Sequence, residues 1–351
     1  MKKILSAILA LALSACMLAG CGSAGTTIPT EAPAKTDAPE KTDAPAPGTE
    51  APEKTAYTVA IVQQLDHSSL DEIRAAIEAE LDAIAARDGI EISYDEYNGQ
   101  NDATTLNQIG ADAVSRGYDA IIPIATLAAQ CMATATEGTD IPVIYAAISD
   151  PETAGLTGIS NVTGTSDALN TRFIIDMMLA ADPDVKTVGL LYSNSEANST
   201  APIAEAKAYL DEKGIGYIEK TGNTTDEIMS AVNSMLDRVD AVFTPTDNVV
   251  MAAAGAVAEV LADAGIPHYA GADSFVTAGS FATCGVNYTE LGTYTADMTY
   301  DILTTGTVPE FHVMDGGIIT VNTETADKIG LAYDAFKDMA GTVVEVVTSD
   351  N

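Results

Sequence analysis

The sequence has 351 residues, enough for two domains of ordinary size, with 47% hydrophobic and 19% charged residues. Its formal net charge is −35, from 16 Lys and Arg against 51 Asp and Glu. Such a field repels phosphate backbones, and no cluster of basic residues interrupts it. We therefore expect no nucleic-acid partner.

The N-terminus has the pattern of a processing signal. Lys2 and Lys3 precede an apolar stretch that is too short for a comfortable membrane span, and residues 18–21 read LAGC. Small residues followed by Cys resemble a bacterial lipoprotein signal, in which the Cys is acylated and becomes the mature N-terminus. We predict a signal peptide over residues 1–20 and lipidation at Cys21, which would anchor the chain to the outer side of the cell membrane.

A low-complexity segment follows the signal. Residues 22–56 repeat KTDAP and TEAP and offer almost no side chain that a core would bury. This composition predicts a disordered tether over 21–56, with the lipidated Cys21 at its start.

From residue 57 onward, apolar runs alternate with amphipathic helices, such as 70–87 with Ile73, Ile77, Leu81 and Ile84 on one face. This alternation is typical of α/β folds with parallel sheets covered on both sides. The Gly-, Thr- and Ser-rich segment 155–166 has no clear period and divides the chain into two lobes. Nine strands are predicted: 57–64, 90–97, 119–125, 141–148, 185–193, 215–222, 240–246, 266–273 and 317–322.

Most of these apolar runs end in polar residues. In doubly wound lobes, ligands bind at the carboxyl ends of the strands. Six polar strand ends, from both halves, predict two facing walls of a cleft. They are Gln63–Gln64, Thr126, Ser149–Asp150, Asn194, 246–248 and Asp273–Ser274.

Motifs for catalysis, metals and cofactors are missing from the sequence. Its three histidines have no HExxH or other paired spacing, and GxSxG, GxxxxGK[ST] and GxGxxG do not occur. We predict no catalytic residues, no metal and no cofactor.

Cys131 and Cys284 are far apart in sequence, and they are interpreted as core residues, with a disulfide as the alternative.

Several segments resemble the substrate-binding lipoproteins of ABC transporters, in the family that includes tryptophan- and tyrosine-uptake binding proteins. They occur in family order over nearly all of 57–351, and the set of PTDN, SDP and YxNxEANS is specific. The segments are VAIVQQLDH (59–67), IIPIATLAAQ (121–130), IPVIYAAISDPETAGL (141–156), VGLLYSNSEANS (188–199), VFTPTDNVV (242–250) and CGVNYTELG (284–292). Leu127 departs from the family, which often has proline there.

The resemblance implies two Rossmann-like lobes with parallel sheets joined by a hinge, the type I periplasmic-binding-protein fold. It places 57–162 and 282–308 in the first lobe, and 163–281 and 309–351 in the second. It also implies a monomer outside the cytoplasm that closes over a small molecule and serves an ABC permease and its ATPase.

The family resemblance implies an amino acid as the ligand, and composition bears on the alternatives. Trp is absent, which lowers the expectation of a sugar site, and no Arg lies at a cleft-facing strand end. A ligand carboxylate would therefore meet hydroxyls and helix-start amides at 68–69 and 126–128, where Ser69 and Glu72 also fit a capping box. A ligand ammonium would bind Asp247, with Asp150 and Asp273 as second choices.

Each of these residues also has a structural interpretation. Asp247 can simply cap the next helix, Asp150 can form a turn, and Asn194, Glu196 and Asn198 can be polar loop residues. Tyr145, Tyr192 and Tyr288 can flank an aromatic ligand or only pack. The predicted ligand-binding residues are Ser68, Ser69, Thr126, Asp150, Asn194, Asn198, Thr246, Asp247, Asn248 and Asp273.

Three functional hypotheses follow. The first is the solute-binding component of an importer for an amino acid, aromatic or not. The second is a binding module with the same fold that feeds a sensor, or that takes a sugar or nucleoside. The third, a secreted α/β enzyme, lacks a catalytic constellation.

Overall fold

Two β-sheets organise residues 54–340 and 342–349, which the computed structural model describes. The predicted signal peptide, Cys21 and nearly all of the predicted tether lie outside these residues. The first sheet has the strand order β2-β1-β3-β4-β5-β11 and is parallel throughout. Its strands are β1 (Ala56–Gln63), β2 (Glu91–Asn98), β3 (Ala120–Ile124), β4 (Val143–Tyr145), β5 (Val162–Ser166) and β11 (His312–Val313).

The second sheet has the order β7-β6-β8-β9-β10-β12-β13, and only the β10–β12 pair is antiparallel. The two sheets define two lobes. The strands of the second sheet are β6 (Thr187–Tyr192), β7 (Gly216–Thr221), β8 (Ala241–Thr244), β9 (His268–Ala270), β10 (Ala282–Gly285), β12 (Ile318–Asn322) and β13 (Val343–Val346).

Helices cover both sheets. In the first lobe they are α1 (Ser68–Asp88), α2 (Ala103–Arg116), α3 (Thr126–Ala135) and α10 (Tyr288–Thr305). In the second lobe they are α4 (Thr171–Ala181), α5 (Thr200–Lys213), α6 (Thr225–Asn233), α7 (Asn248–Met251), α8 (Ala254–Asp263), α9 (Asp273–Thr277) and α11 (Thr323–Ile329), with 3₁₀ turns at Ala197–Ser199 and Asp334–Asp338.

The predicted apolar face of α1 is buried: Ile73, Ile77, Leu81 and Ile84 are all inaccessible to solvent. This face packs within the first lobe, where α1 lies against α10. Gly292 permits the close approach, because a Cβ there would lie 2.6 Å from the Ile73 carbonyl oxygen. The chain therefore returns to the first lobe through α10, as the family resemblance implies.

The chain crosses between the sheets three times, after β5, after β10 and after β11. Each crossing falls a few residues beyond the boundaries predicted at 162, 281 and 308. For the first crossing, the reason is that β5 belongs to the first sheet although its sequence, VTGTS, carries little apolar signal. The other two shift because β10 belongs to the second sheet and β11 to the first. All five residues of β5 are buried, so small and hydroxylated side chains fill the space between layers there.

Cys131 and Cys284 are buried free thiols in the cores of different lobes, as the core interpretation predicted. None of the helices in the described part of the chain has both the length and the apolar character that a membrane span needs.

Candidate functional site

The carboxyl ends of the strands from both sheets meet around one cavity between the lobes. Its walls combine hydroxyl, amide and carboxyl groups with a few apolar side chains. Six of the predicted ligand-binding residues line it: Ser69, Thr126, Asn198, Thr246, Asp247 and Asn248.

The other four predicted residues do not line this cavity. Asn194 is exposed and donates a hydrogen bond to Thr221, and Asp150 accepts the Thr153 amide at 2.9 Å in a surface turn. Ser68 lines a wider groove that also includes residues of α8 and α11, and its hydroxyl is buried without a hydrogen-bond partner. Asp273 begins α9 beside the cavity residue Ala272.

Asp247 accepts three hydrogen bonds from donors of its own lobe. Its carboxylate is fully buried and accepts the Ser193 amide and the Ser199 hydroxyl, both at 2.7 Å, and the Val250 amide at 3.0 Å. The last of these bonds caps α7. This geometry supports the capping interpretation of Asp247, with the added role of fixing the loop that follows β6.

The capping box predicted at Ser69 and Glu72 is wrong. Helix α1 begins two residues earlier, with His67 at the cap position and no side-chain cap bond. Ser69 instead lies in the first turn, and its hydroxyl contacts the Ser274 hydroxyl of the second lobe. Glu72 accepts a hydrogen bond from Thr289 at the start of α10.

The two lobes are hydrogen bonded to each other across the cavity. Besides the pair of serines, Ser149 contacts the Thr246 hydroxyl at 2.9 Å, and His67 Nε2 contacts Asn248 Oδ1 at 3.0 Å. Direct contacts of this kind require that the two walls have come together. The lobes are therefore closed in this structure.

A buried carboxyl group, that of Glu196, links the lobes at the cavity edge. Gln64 of the first lobe donates to its Oε1 at 3.1 Å, and Asn248 of the second lobe donates to its Oε2 at 2.6 Å. Burial and the nearby Asp247 carboxylate raise the pKa of Glu196 to about 7. Burial lowers the pKa of His67, so its ring is neutral and donates through Nε2 to Asn248.

This arrangement makes stability depend on pH. The pKa of Glu196 is about 7 in the folded protein against 4.5 for a free Glu side chain, so the folded state binds more protons between these values. Its stability therefore falls as pH rises through that window. A Glu196→Gln variant lacks this titration. We expect wild-type protein to lose up to about 3 kcal/mol of unfolding free energy relative to the variant between about pH 5 and pH 8.

Urea denaturation followed by circular dichroism at several pH values measures this difference. Glu137→Gln, at an exposed position, is the matched control and should parallel the wild type. If the unfolding free energy of Glu196→Gln changed with pH in the same way as that of the wild type, the raised pKa of Glu196 would be contradicted.

Two alanines at the cavity have unusual backbone conformations. Ala125, after β3, has φ 75° and ψ 165°, and Ala147, after β4, has φ 59°. Conformations of this kind cost of order 1–3 kcal/mol and cluster at ligand clamps. The backbone conformation of Ala125 brings the first turn of α3 to the cavity. There, Leu127 N donates a hydrogen bond to Gln64 Oε1 at 2.9 Å.

Sequence reasoning missed Asp167 and treated Glu196 as an alternative loop residue. Asp167 directly follows β5, and because that strand was not predicted, its position at a strand end was not visible. Tyr288 donates its hydroxyl hydrogen to Asp167 at 3.0 Å, so it contributes to the site as well as to packing. Within the described ranges, no group of three His, Cys, Asp or Glu side chains is arranged to hold a metal ion.

Residues 58–340 match the family model for ABC transporter substrate binding proteins. The chain therefore belongs to the family of ABC-transporter substrate-binding proteins, and the predicted type I periplasmic-binding-protein fold is confirmed. It is also similar to the tyrosine-binding protein of Clostridioides difficile strain R20291, with 30% identity over 357 residues that span all of this chain and 97% of that protein.

Among solved structures, the chain resembles the ABC domain from Streptococcus pneumoniae in complex with L-Trp. The TM-score is 0.76 at 31% identity, over 82% of this chain and all of that one. A substrate-binding protein from Clostridium difficile, described as ligand-free and open, gives a TM-score of 0.64 at 30% identity, over 84% of this chain and all of that one.

Proposed function

We propose that this protein binds an amino acid with an aromatic side chain between its lobes and delivers it to an ABC permease. The observation that carries the proposal is the division of the cavity wall into polar and apolar parts. Leu70, Met251 and Phe275 provide an apolar patch, while hydroxyls and carboxylates from both lobes line the remainder. An aromatic amino acid has the same division between side chain and charged backbone groups.

Two helices of the first lobe begin at this cavity, α1 through Ser69 and α3 through Thr126. The first amides of a helix lack intrahelical partners and carry the positive end of the helix dipole, so they attract a carboxylate. In this proposal the ligand carboxylate binds to these helix starts and to the neighbouring hydroxyls. The C. difficile and S. pneumoniae relatives support the choice of tyrosine or tryptophan.

A thermal-shift screen of the twenty amino acids, common nucleosides and simple sugars tests the proposal. We expect L-tyrosine or L-tryptophan to raise the melting temperature most, because a ligand at a hundredfold excess over its Kd stabilises the folded state by about 2.7 kcal/mol. Stabilisation by a sugar or a nucleoside alone would replace the amino-acid proposal with the second candidate class.

We also propose that the protein acts outside the cytoplasm, anchored by lipid on Cys21. A Cys21→Ser precursor cannot be acylated at that position. In a Triton X-114 phase separation we expect the variant in the aqueous phase and the wild-type protein in the detergent phase. Cys131→Ser is the matched control, because Cys131 is buried in the first lobe, and it should partition like the wild type. Retention of the Cys21→Ser protein in the detergent phase would contradict the anchor.

A further inference from the structure

Asp167 is a buried carboxylate at the cavity with no basic partner. It is only 5% exposed and lines the cavity just after β5. Its two oxygens accept hydrogen bonds from the Ser149 and Tyr288 hydroxyls, each at 3.0 Å. No Lys or Arg side chain of residues 54–340 or 342–349 forms an ion pair with it. Burial raises the pKa of Asp167, and its two neutral donors do not take the place of a cationic partner.

The hydroxyl protons near Asp167 have fixed directions. Ser149 has one proton, and it donates that proton to the carboxylate, so the Thr246 hydroxyl must donate to Ser149. Tyr288 also donates to the carboxylate. Asp167 is therefore an acceptor on both sides, and each oxygen keeps a lone pair for a further donor.

A second acceptor comes from the opposite lobe. Asn198 is 8% exposed and lines the same cavity, and its Nδ2 donates to the Thr246 carbonyl oxygen at 2.6 Å. That bond fixes the orientation of the amide, because a carbonyl oxygen can only accept. The Oδ1 atom of Asn198 is buried and has no hydrogen-bond partner. A chain of hydrogen bonds through Ser149 and Thr246 thus connects Asp167 with Asn198. The Asp167 carboxylate and Asn198 Oδ1 can each accept a further hydrogen bond.

We propose that Asp167 and Asn198 form the ammonium subsite of the cavity, one acceptor from each lobe. The inference rests on the proposed function, since it assigns a role within amino-acid binding. An ammonium group has three donors and a positive charge, which match a buried carboxylate and an amide oxygen. Because the subsite has a part in each lobe, the ligand ammonium stabilises the closed arrangement.

The other carboxyl groups near the cavity fit this role less well. Asp247, which sequence reasoning favoured, already accepts three hydrogen bonds, and Glu196 accepts side-chain amides from both lobes. Asp273 has an oxygen without a partner but is not among the residues that line the cavity. An Asp273→Asn variant is included in the test as the rival site.

The test compares ligands with and without the ammonium group. The protein contains no tryptophan, so the indole fluorescence of L-tryptophan and of indole-3-propionate reports their binding without a contribution from protein indole groups. For wild type we expect L-tryptophan to bind at least about 30-fold more tightly than indole-3-propionate. Asp167→Asn should weaken L-tryptophan binding by about 30- to 4,000-fold, the range for losing one partner of a desolvated charge pair, and should leave indole-3-propionate nearly unchanged.

Asp140→Asn removes a charge from an exposed residue in the loop between α3 and β4, and it should retain the wild-type preference. If wild type prefers L-tryptophan and Asp167→Asn keeps that preference, the ammonium subsite is wrong while the proposed function stands. If wild type binds neither L-tryptophan nor L-tyrosine, the proposed function itself fails.

A crystal structure of the wild-type protein with L-tryptophan or L-tyrosine decides the matter even if Asp167→Asn does not fold. We expect the ligand nitrogen about 2.7–3.2 Å from an Asp167 oxygen and from Asn198 Oδ1. A ligand nitrogen bound to Asp247, Glu196 or Asp273 instead would overturn the proposal.

Discussion

Replacing Asp247 with alanine is expected to lower the free energy of unfolding by about 4 kcal/mol. Three donors lose their acceptor at once: the amides of Ser193 and Val250 and the hydroxyl of Ser199. A buried donor without a partner costs about 1–3 kcal/mol, and the lost helix cap accounts for part of the total. Urea denaturation followed by circular dichroism measures the change.

Asp102 provides the matched control, because it caps α2 through the Thr105 amide but is exposed. Asp102→Ala should cost only about 1 kcal/mol, the usual value for a lost cap. If Asp247→Ala cost no more than Asp102→Ala, Asp247 would be a simple cap, and its bonds to Ser193 and Ser199 would contribute little.

Gly164→Ala is expected to destabilise the protein by about 4 kcal/mol or to prevent folding. A Cβ at position 164 would lie 2.0 Å from the Tyr145 carbonyl oxygen and 2.6 Å from the Tyr145 nitrogen. Both atoms are backbone atoms of the neighbouring strand β4, so they cannot rotate away. The φ of 154° adds a conformation that favours glycine, and overpacking and backbone strain each cost about 1–3 kcal/mol.

Gly138→Ala separates these two contributions. Gly138 has φ 76°, and nothing lies within 4 Å of the position of its missing Cβ. The control therefore carries only the backbone cost of about 1 kcal/mol. Equal losses at the two positions, measured by the same denaturation, would show that the contact between β4 and β5 is not tight.

The sequence predicted nine of the thirteen strands in the described residues and left out β5, β10, β11 and β13. All nine predicted runs contain a strand. The central strands, such as β3 and β8, are buried along their whole length because helices cover both faces of each sheet. Strand β5 was not predicted because most of its residues are Thr, Gly and Ser. They are buried because they are small and can form hydrogen bonds, and not because they are hydrophobic. Strand β10, with the sequence ATCG, has only four residues and precedes the second crossing between the sheets.

The sequence predicted where the cavity lies but not which side chains are hydrogen bonded across it. Polar residues at several strand ends indicated facing walls, and six of the ten predicted residues line the cavity. The partners across it are far apart in sequence, such as His67 with Asn248 and Ser149 with Thr246. Local pattern carries no information on such pairs. For the same reason, Asp247 could be assigned to a cap or to a ligand only once its three donors were known.

Calorimetric titration with L-tyrosine and L-tryptophan, on wild type and on an Ala272→Phe variant, tests the central claim most directly. Ala272 lines the cavity and has an extended backbone, with φ −144° and ψ 156°, that accepts any side chain. We expect wild type to bind one equivalent of at least one of these amino acids. The variant should bind it about 100-fold more weakly, because a phenyl ring would occupy the cavity and overpacking costs up to about 3 kcal/mol. No binding heat for either amino acid, or equal affinity in the variant, would contradict amino-acid binding between the lobes.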